Sequence, residues 1–298
     1  MNKTPKEKVW TDRQLRRKVK WLRFFMSVFS TLSFKKTGKC TGKEMFLATG
    51  EGKVRVLAYN MDNPQRLPLF VNIHGGGFVL GNAEMDDPFM PNMASQANVK
   101  IISIDYSLAP EFPFPKALNE CHAVVKYAKT HPDELGIDPD KIAVGGHSAG
   151  GNLSAGICLM DKDSQSLGIK CLILDYPPLD VYTEASLKPL PKGSLPVFIC
   201  RIFDACYYNN KETRKNPLIS PVFATPDDVR SFPPTLIMTA SRDSLCDEGE
   251  MFRDKLIEAG VKVTHKRFED VHGFNLNPGA NSDESWQMMI EHLKQNIN

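Results

Sequence analysis

The sequence Gly146-His147-Ser148-Ala149-Gly150 places a serine between two glycines, directly after an apolar run and before a stretch of small residues. In this setting, G-x-S-x-G is typical of a sharp strand-to-helix turn that exposes the serine hydroxyl. The same turn would direct the backbone N–H of Ala149 toward an oxyanion that develops near the hydroxyl. Ser148 is therefore predicted to be a nucleophile.

A run of three glycines, His74-Gly-Gly-Gly-Phe78, follows another short apolar segment. Glycines let backbone N–H groups point into a cleft that bulkier residues would obstruct. Gly75 and Gly76, together with Ala149, are predicted to form an oxyanion hole. A phosphate-binding loop is disfavoured because neither G-K-[S/T] nor G-x-G-x-x-G is present. The histidine of the motif is predicted to hold the loop and not to act as a base.

A serine hydroxyl needs a histidine base, and the base needs a carboxylate that orients it. Of the seven histidines, His272 alone follows the last predicted strand, and a glycine comes next. Asp243 directly follows the preceding strand, as the order Ser, acid, His requires. Asp247 and Glu248 are expected in the first turn of a helix, and Asp270 is too close in sequence to His272. The predicted catalytic triad is Ser148, Asp243 and His272.

These residues depend on a scaffold of alternating strands and helices. Four helices are predicted over 117–130, 149–160, 247–259 and 283–296. Alternation of this kind implies an α/β fold with a mostly parallel, eight-stranded sheet covered on both faces. The predicted strands are 43–49, 53–59, 69–73, 100–105, 142–146, 171–175, 235–239 and 263–268.

Two segments interrupt this rhythm. Residues 178–228 are rich in proline and aromatics and are too long for a plain connection, which predicts a helical cap inserted over the carboxyl edge of the sheet. Residues 1–42 are predicted to add N-terminal cap helices to the catalytic domain, 43–298. Apolar residues recur there at helical spacing: Leu15, Val19, Leu22, Met26, Phe29 and Leu32. The aromatics predicted to contact substrate are Phe78, Phe198, Phe203 and Tyr207.

The composition disfavours a nucleic-acid-binding protein and a zinc protein. The chain has 298 residues, of which 42% are hydrophobic, and its net charge of +2 gives no reason to expect a nucleic-acid partner. Seven cysteines occur without a C-x-x-C pair or a zinc-like cluster, which favours buried thiols in a reducing cytoplasm and no metal site.

The basic stretch 13–20 precedes an apolar one, as in a signal peptide, but Arg23 and Lys35-Lys36 do not fit that pattern. No stretch is long enough to span a bilayer. A cytoplasmic location without stable membrane insertion is expected.

Together the motifs resemble the hormone-sensitive-lipase-like esterases, the bacterial family IV carboxylesterases. The resemblance implies the α/β-hydrolase fold with a cap, no cofactor, and short or medium acyl chains. Three residues depart from the family pattern, namely His147, Ser107 and Ser244, and none of them removes a catalytic group. The matching segments are His74–Phe78, Asp105–Glu111, Gly146–Asn152, Asp243–Gly249 and His272–Phe274.

The sequence thus predicts a serine carboxylesterase that hydrolyses a small-molecule ester through an acyl-enzyme. A deacetylase, amidase or peptidase on the same scaffold stays open, because the same triad serves them all. A catalytically inactive ligand-binding homologue, as plant gibberellin receptors are, is disfavoured because no triad member is missing. An interfacial lipase held by the basic N-terminal helix is a further alternative. The oligomeric state is open, with a homodimer among the alternatives.

Overall fold

A computed structural model describes residues 10, 11, 13–24, 40–208 and 211–298. Eight strands form one sheet in the order β1-β2-β4-β3-β5-β6-β7-β8. The pairs β1/β2 and β2/β4 are antiparallel, and all other neighbours are parallel. The strands are β1 (Lys43–Thr49), β2 (Gly52–Tyr59), β3 (Leu67–Ile73), β4 (Lys100–Asp105), β5 (Ile137–His147), β6 (Ile169–Asp175), β7 (Thr235–Arg242) and β8 (Val263–Val271).

The first helix, α1, covers residues 13–24. The others in the described chain are α2 (Met90–Ala97), α3 (Lys116–Thr130), α4 (Pro132–Leu135), α5 (Ala149–Asp161), α6 (Val197–Tyr207), α7 (Pro226–Val229), α8 (Cys246–Glu258) and α9 (Ala280–Ile297).

The sheet is buried on both faces because successive side chains of a strand point to opposite sides. In β3, Val71 joins a core with α3 and α5, whereas its neighbour Phe70 joins a core with α2 and α9. In β7, Ile237 packs toward α8 and Met238 toward α9. This double coverage explains why the parallel strands read as continuous apolar runs.

The predicted fold class, a mostly parallel eight-stranded sheet flanked by helices, is confirmed. The strand predicted over 142–146 begins earlier, since β5 starts at Ile137 through residues that include a proline and two aspartates. Helix α2 was not predicted, because it is short and contains polar residues and Pro91.

The segment 178–228 contains one long helix, α6, and otherwise short turns and loops. Leu15 and Val19 of α1 share a buried apolar cluster with Ile202 and Cys206 of α6. This contact brings the N-terminal helix against the predicted insertion. The helical pattern of Met26, Phe29 and Leu32 falls outside the described residues. Within the described part of the chain, no helix is both long and apolar enough to cross a membrane.

Candidate active site

Three side chains from three loops meet at the carboxyl edge of the parallel strands. Ser148 follows β5, Asp243 follows β7, and His272 follows β8. The Nε2 of His272 lies 3.0 Å from the Oγ of Ser148, and its Nδ1 lies 2.7 Å from Oδ2 of Asp243. Asp243 is buried, so its carboxylate is shielded from water. This is the geometry in which a carboxylate orients an imidazole that accepts a proton from serine.

The serine stands in a strained turn. Its backbone has φ of 51° and ψ of −118°, a combination that L residues rarely adopt. Its N–H donates to the carbonyl of Asp175 at 2.8 Å, and α5 begins at the next residue. The turn fits because Gly150 passes directly beside β3, where a methyl group would overlap the carbonyl oxygen of Ile73.

The glycine loop lies against the serine. A Cβ built on Gly75 would sit 3.4 Å from the Cβ of Ser148, and Gly76 has φ of +112°, which favours glycine. Within the described residues, no group accepts a hydrogen bond from the N–H groups of Gly75, Gly76 or Ala149. The N–H of Ala149 is therefore an available donor at the N-terminus of α5, and the N–H groups of Gly75 and Gly76 are available donors in the glycine loop, where Gly75 lies against Ser148.

Comparison with known proteins agrees with this geometry. A family model described as an alpha/beta hydrolase fold matches residues 70–276. The chain belongs to the alpha/beta hydrolase family.

An arylesterase of Saccharolobus solfataricus is 34% identical to the hydrolase over 217 residues, which are 70% of this chain and 69% of that protein. Carboxylesterase NlhH of Mycobacterium tuberculosis is 33% identical over 66% of the hydrolase and 63% of its own length. Among solved structures, a hyperthermophilic esterase from Pyrobaculum calidifontis superposes with a TM-score of 0.84 at 29% identity, covering 95% of the hydrolase and 96% of that chain.

A cavity opens beside Ser148. Phe78 and Phe203, two of the aromatics predicted to contact substrate, line it. The other two lie elsewhere: Phe198 is 61% exposed at the start of α6, and Tyr207 is buried behind Phe78, with the ring centroids 3.6 Å apart. The helical period places Phe198 on the opposite side of α6 from Cys200, Phe203 and Asp204, which line the cavity. Tyr207 lies on the same face as Phe203, one turn further along, but the ring of Phe78 stacks against it.

His147, the first departure from the family pattern, is buried behind the nucleophile of the hydrolase. Its Nδ1 lies 2.6 Å from Oδ2 of Asp175, and its Nε2 lies 4.0 Å from Oδ2 of Asp86. Burial alone would lower the pKa of His147, but the two carboxylates more than offset it, and the pKa is raised. The two carboxylates therefore favour the protonated form of His147.

The same cluster connects the turn at Ser148 to the loop that carries His272. Asn275 donates to Asp175, and the hydroxyl of Tyr176 donates to Asn275 at 2.6 Å. The ring of Tyr176 stands edge-on to His272, with centroids 4.8 Å apart. This cluster was not predicted, since the unusual residue at position 147 was its one sign in the sequence.

The remaining departures have local partners. The backbone and hydroxyl of Ser107 both donate to Glu120, at 2.7 and 2.8 Å. Ser244 is nearly buried and lines the cavity. His74 stacks on Tyr106 with centroids 4.1 Å apart, which holds the glycine loop, and burial lowers the pKa of His74.

Glu248 lies in the first turn of α8, as predicted, but it is buried beside the cavity. Its carboxylate accepts hydrogen bonds from the N–H groups of Leu179 and Asp180 and from Lys188. No local sequence pattern predicts that this acid binds the segment after β6.

All seven cysteines lie in the described ranges, and none is paired in a disulfide. Among the residues that the structure describes, no cluster of three histidine, cysteine or acidic side chains could hold a metal ion.

Proposed function

We propose that the protein hydrolyses short-chain carboxylic esters through an acyl-enzyme on Ser148. That it is a carboxylic-ester hydrolase follows from its family and from relatives and structural neighbours named arylesterase, carboxylesterase and esterase. The catalytic residues, the mechanism and the preferred acyl length are our proposal.

In the proposed cycle, the Oγ of Ser148 forms a bond to the ester carbonyl carbon while Nε2 of His272 takes the hydroxyl proton. Asp243 holds the imidazole with Nδ1–H toward its carboxylate and stabilises the imidazolium that forms. The tetrahedral oxyanion accepts hydrogen bonds from backbone N–H groups of the glycine loop and of Ala149. His272 then returns the proton to the leaving alcohol as its C–O bond breaks.

Water completes the cycle in the same way. His272 takes a proton from water, whose oxygen attacks the acyl carbon, and the proton returns to Ser148 as the acid leaves. The observation that carries the proposal is the continuous contact from Ser148 through His272 to Asp243, at 3.0 and 2.7 Å.

The cavity supports a short acyl or alcohol group. Its volume is about 60 Å³. A water molecule occupies roughly 10–15 Å³ of such a volume, so the cavity holds a group of about four to six heavy atoms. A butyryl group fits this space, whereas a palmitoyl chain does not unless the cap moves.

The test is hydrolysis of p-nitrophenyl acetate, butyrate, octanoate and palmitate by the wild type, Ser148→Ala and Ser154→Ala. Ser154 is the matched control, because it is a buried serine on the same helix whose hydroxyl bonds only to the carbonyl of Gly150. We expect activity to peak at acetate or butyrate, to disappear in Ser148→Ala and to persist in Ser154→Ala.

Turnover retained by Ser148→Ala would refute the assignment of the nucleophile. A rate that is highest on palmitate would refute the short-chain preference. Matched butyrate ester and butyramide substrates separate an esterase from an amidase on the same triad.

A further inference from the structure

One wall of the cavity beside Ser148 is formed by α6, which presents Cys200, Phe203 and Asp204 at helical spacing. The ring of Phe203 packs against the glycine loop at Gly77, which places this face of the helix close to the proposed oxyanion hole. Asp204 thus brings a carboxylate into a cavity that is otherwise largely apolar.

Asp204 has no partner in the described chain. Its carboxylate accepts no hydrogen bond from a described residue and forms no ion pair with one, and it is only partly exposed. A carboxylate that is only partly exposed and has no protein donor is less well solvated than one on the open surface, so a donor on a bound ligand would stabilise it.

The nearby charges are already engaged. Lys188, which also lines the cavity, donates to Glu248 at 2.5 Å and to the carbonyl of Asp180 at 2.7 Å. The carboxylate of Asp180 accepts from the backbone N–H groups of Tyr182 and Thr183. Lys188 is thus bound to Glu248, and Asp180 is bound to backbone donors, whereas the carboxylate of Asp204 has no hydrogen-bond partner among the described residues.

Burial raises the pKa of Asp204 to about 7. Lys188 and Arg214 act in the opposite direction but do not offset burial, and Glu248 and Glu184 raise the pKa further. A perturbed acid of this kind beside a nucleophile is characteristic of a functional site more than of a structural one.

We propose that Asp204 determines substrate specificity by pairing with a protonated amine on the part of the ester that enters this cavity. The inference rests on the proposed function, because it concerns the same cavity and the same nucleophile. An ammonium group supplies the hydrogen-bond partner that Asp204 lacks among the described residues, and it adds a positive charge to a wall whose Lys188 is already bound to Glu248. A small group of this type fits the cavity volume of about 60 Å³.

Two pairs of substrates of equal shape test the proposal on the acyl and alcohol sides. The acyl pair is the ethyl ester of 3-aminopropanoate and ethyl butanoate. The alcohol pair is 2-(dimethylamino)ethyl acetate and 3-methylbutyl acetate. Hydrolysis is followed by pH-stat at pH 7.5, where both amines are largely protonated. For each pair the measured quantity is the ratio of kcat/KM, cationic over neutral, in the wild type, Asp204→Asn and Asp180→Asn.

In at least one pair, Asp204→Asn should lower the ratio by about tenfold to a hundredfold, as expected for loss of a charged hydrogen bond. The kcat/KM of the neutral ester should change by less than about threefold, because Asp204 does not touch the reacting atoms. Asp180→Asn, the matched control, should leave the ratio within about twofold because its carboxylate is already capped by backbone donors. Each ratio is internal to one protein and does not depend on the fraction of active enzyme.

An unchanged ratio in both pairs would overturn the inference while leaving serine-dependent hydrolysis of the neutral esters intact. Failure of the proposed function would look different, since Ser148→Ala would then hydrolyse the neutral esters as well as the wild type does.

A second measurement uses only the wild type, so it does not depend on a variant that folds. Butylammonium chloride should inhibit hydrolysis of ethyl butanoate at concentrations at least about tenfold lower than butan-1-ol does. Equal inhibition by the two would count against a cation site in this cavity.

Stability gives a third readout. An aspartate whose pKa is higher in the folded state than in the unfolded state lowers the stability of the protein as pH rises. For Asp204 the loss develops between the unfolded pKa of 3.8 and the folded pKa of about 7. Asp204→Asn should therefore have a Tm equal to or above that of the wild type at pH 8, with a smaller advantage at pH 5. A Tm that falls at pH 8 would assign Asp204 a structural role and overturn the proposal.

Discussion

Replacing His147 with leucine would keep most of the apolar volume behind the nucleophile and remove both imidazole N–H groups. Asp175 and Asp86, which are almost fully buried, would lose the cation between them. Each would keep one amide donor, from Asn275 and Asn72 respectively. The two carboxylates would then be buried close together without a compensating positive charge.

The expected loss of unfolding free energy depends on whether the two carboxylates stay charged or bind a proton. Removing one partner of a buried ion pair costs about 3–5 kcal/mol. Alternatively, one carboxylate can become neutral by binding a proton. For a group with an ordinary pKa of 3.8, protonation at pH 7 costs at most about 4 kcal/mol. Burial already raises the pKa of Asp175, which lowers this ceiling. We therefore expect a loss of about 3 kcal/mol, or roughly 6–10 °C in Tm.

The assay is urea and thermal unfolding of the wild type, His147→Leu and His292→Leu. His292 is the matched control: it is a buried histidine whose Nε2 lies 3.2 Å from the carbonyl oxygen of Pro234 and whose Nδ1 lies 3.4 Å from Nδ2 of Asn296, and burial lowers its pKa. Its replacement should cost only about 1 kcal/mol, because no buried carboxylate loses a partner. If the two variants lose equal stability, or if His147→Leu lies within about 1 kcal/mol of the wild type, the charged-cluster argument is wrong.

The pH dependence has a definite sign. The raised pKa of His147 means that its charge contributes stability that is complete below its usual value of 6.5 and is lost as pH rises through the folded pKa. The difference between the wild type and His147→Leu should thus be larger at pH 6 than at pH 9. A difference that grows between these values would contradict a charged His147.

Two further predictions concern the site itself. Asp243→Asn should lower kcat by about 10³–10⁴-fold, because the amide favours the wrong imidazole tautomer. Circular dichroism should show an unchanged fold. A kcat within tenfold of the wild type would mean that another acid orients His272. Gly150→Ala should give little soluble protein or a greatly lowered Tm, because the added methyl group overlaps the Ile73 carbonyl; a variant with normal Tm and activity would show that the turn tolerates a side chain.

Much of the fold could be predicted because the apolar periods are strong and the glycine motifs sit at strand ends. The predicted strand 69–73 places the glycine loop, and the strands before Asp243 and His272 place the acid and base at the same edge. Residues that follow parallel strands are expected to lie close together, because the carboxyl ends of these strands are at the same edge of the sheet.

The walls of the cavity could not be predicted, since they depend on how residues 178–228 pack against the sheet. Phe198 and Phe203 are equally apolar in sequence, yet the helix period turns only Phe203 toward Ser148. Asp204 and Glu248 look like ordinary helical acids until the fold removes them from water. Long-range pairs such as His147 with Asp175 likewise leave no local pattern in the chain.

The central claim is that Ser148 is the nucleophile and that His272 activates it. Diethyl p-nitrophenyl phosphate tests this directly, because attack by an activated serine transfers the diethylphosphoryl group to its Oγ and releases p-nitrophenolate. Mass spectrometry of the wild type and of His272→Ala would locate the adduct. The account predicts one diethylphosphoryl group per chain, on the peptide that contains Ser148, with at least a hundredfold slower labelling in His272→Ala. Ester hydrolysis by a protein that acquires no label on Ser148, or labelling that does not depend on His272, would contradict it.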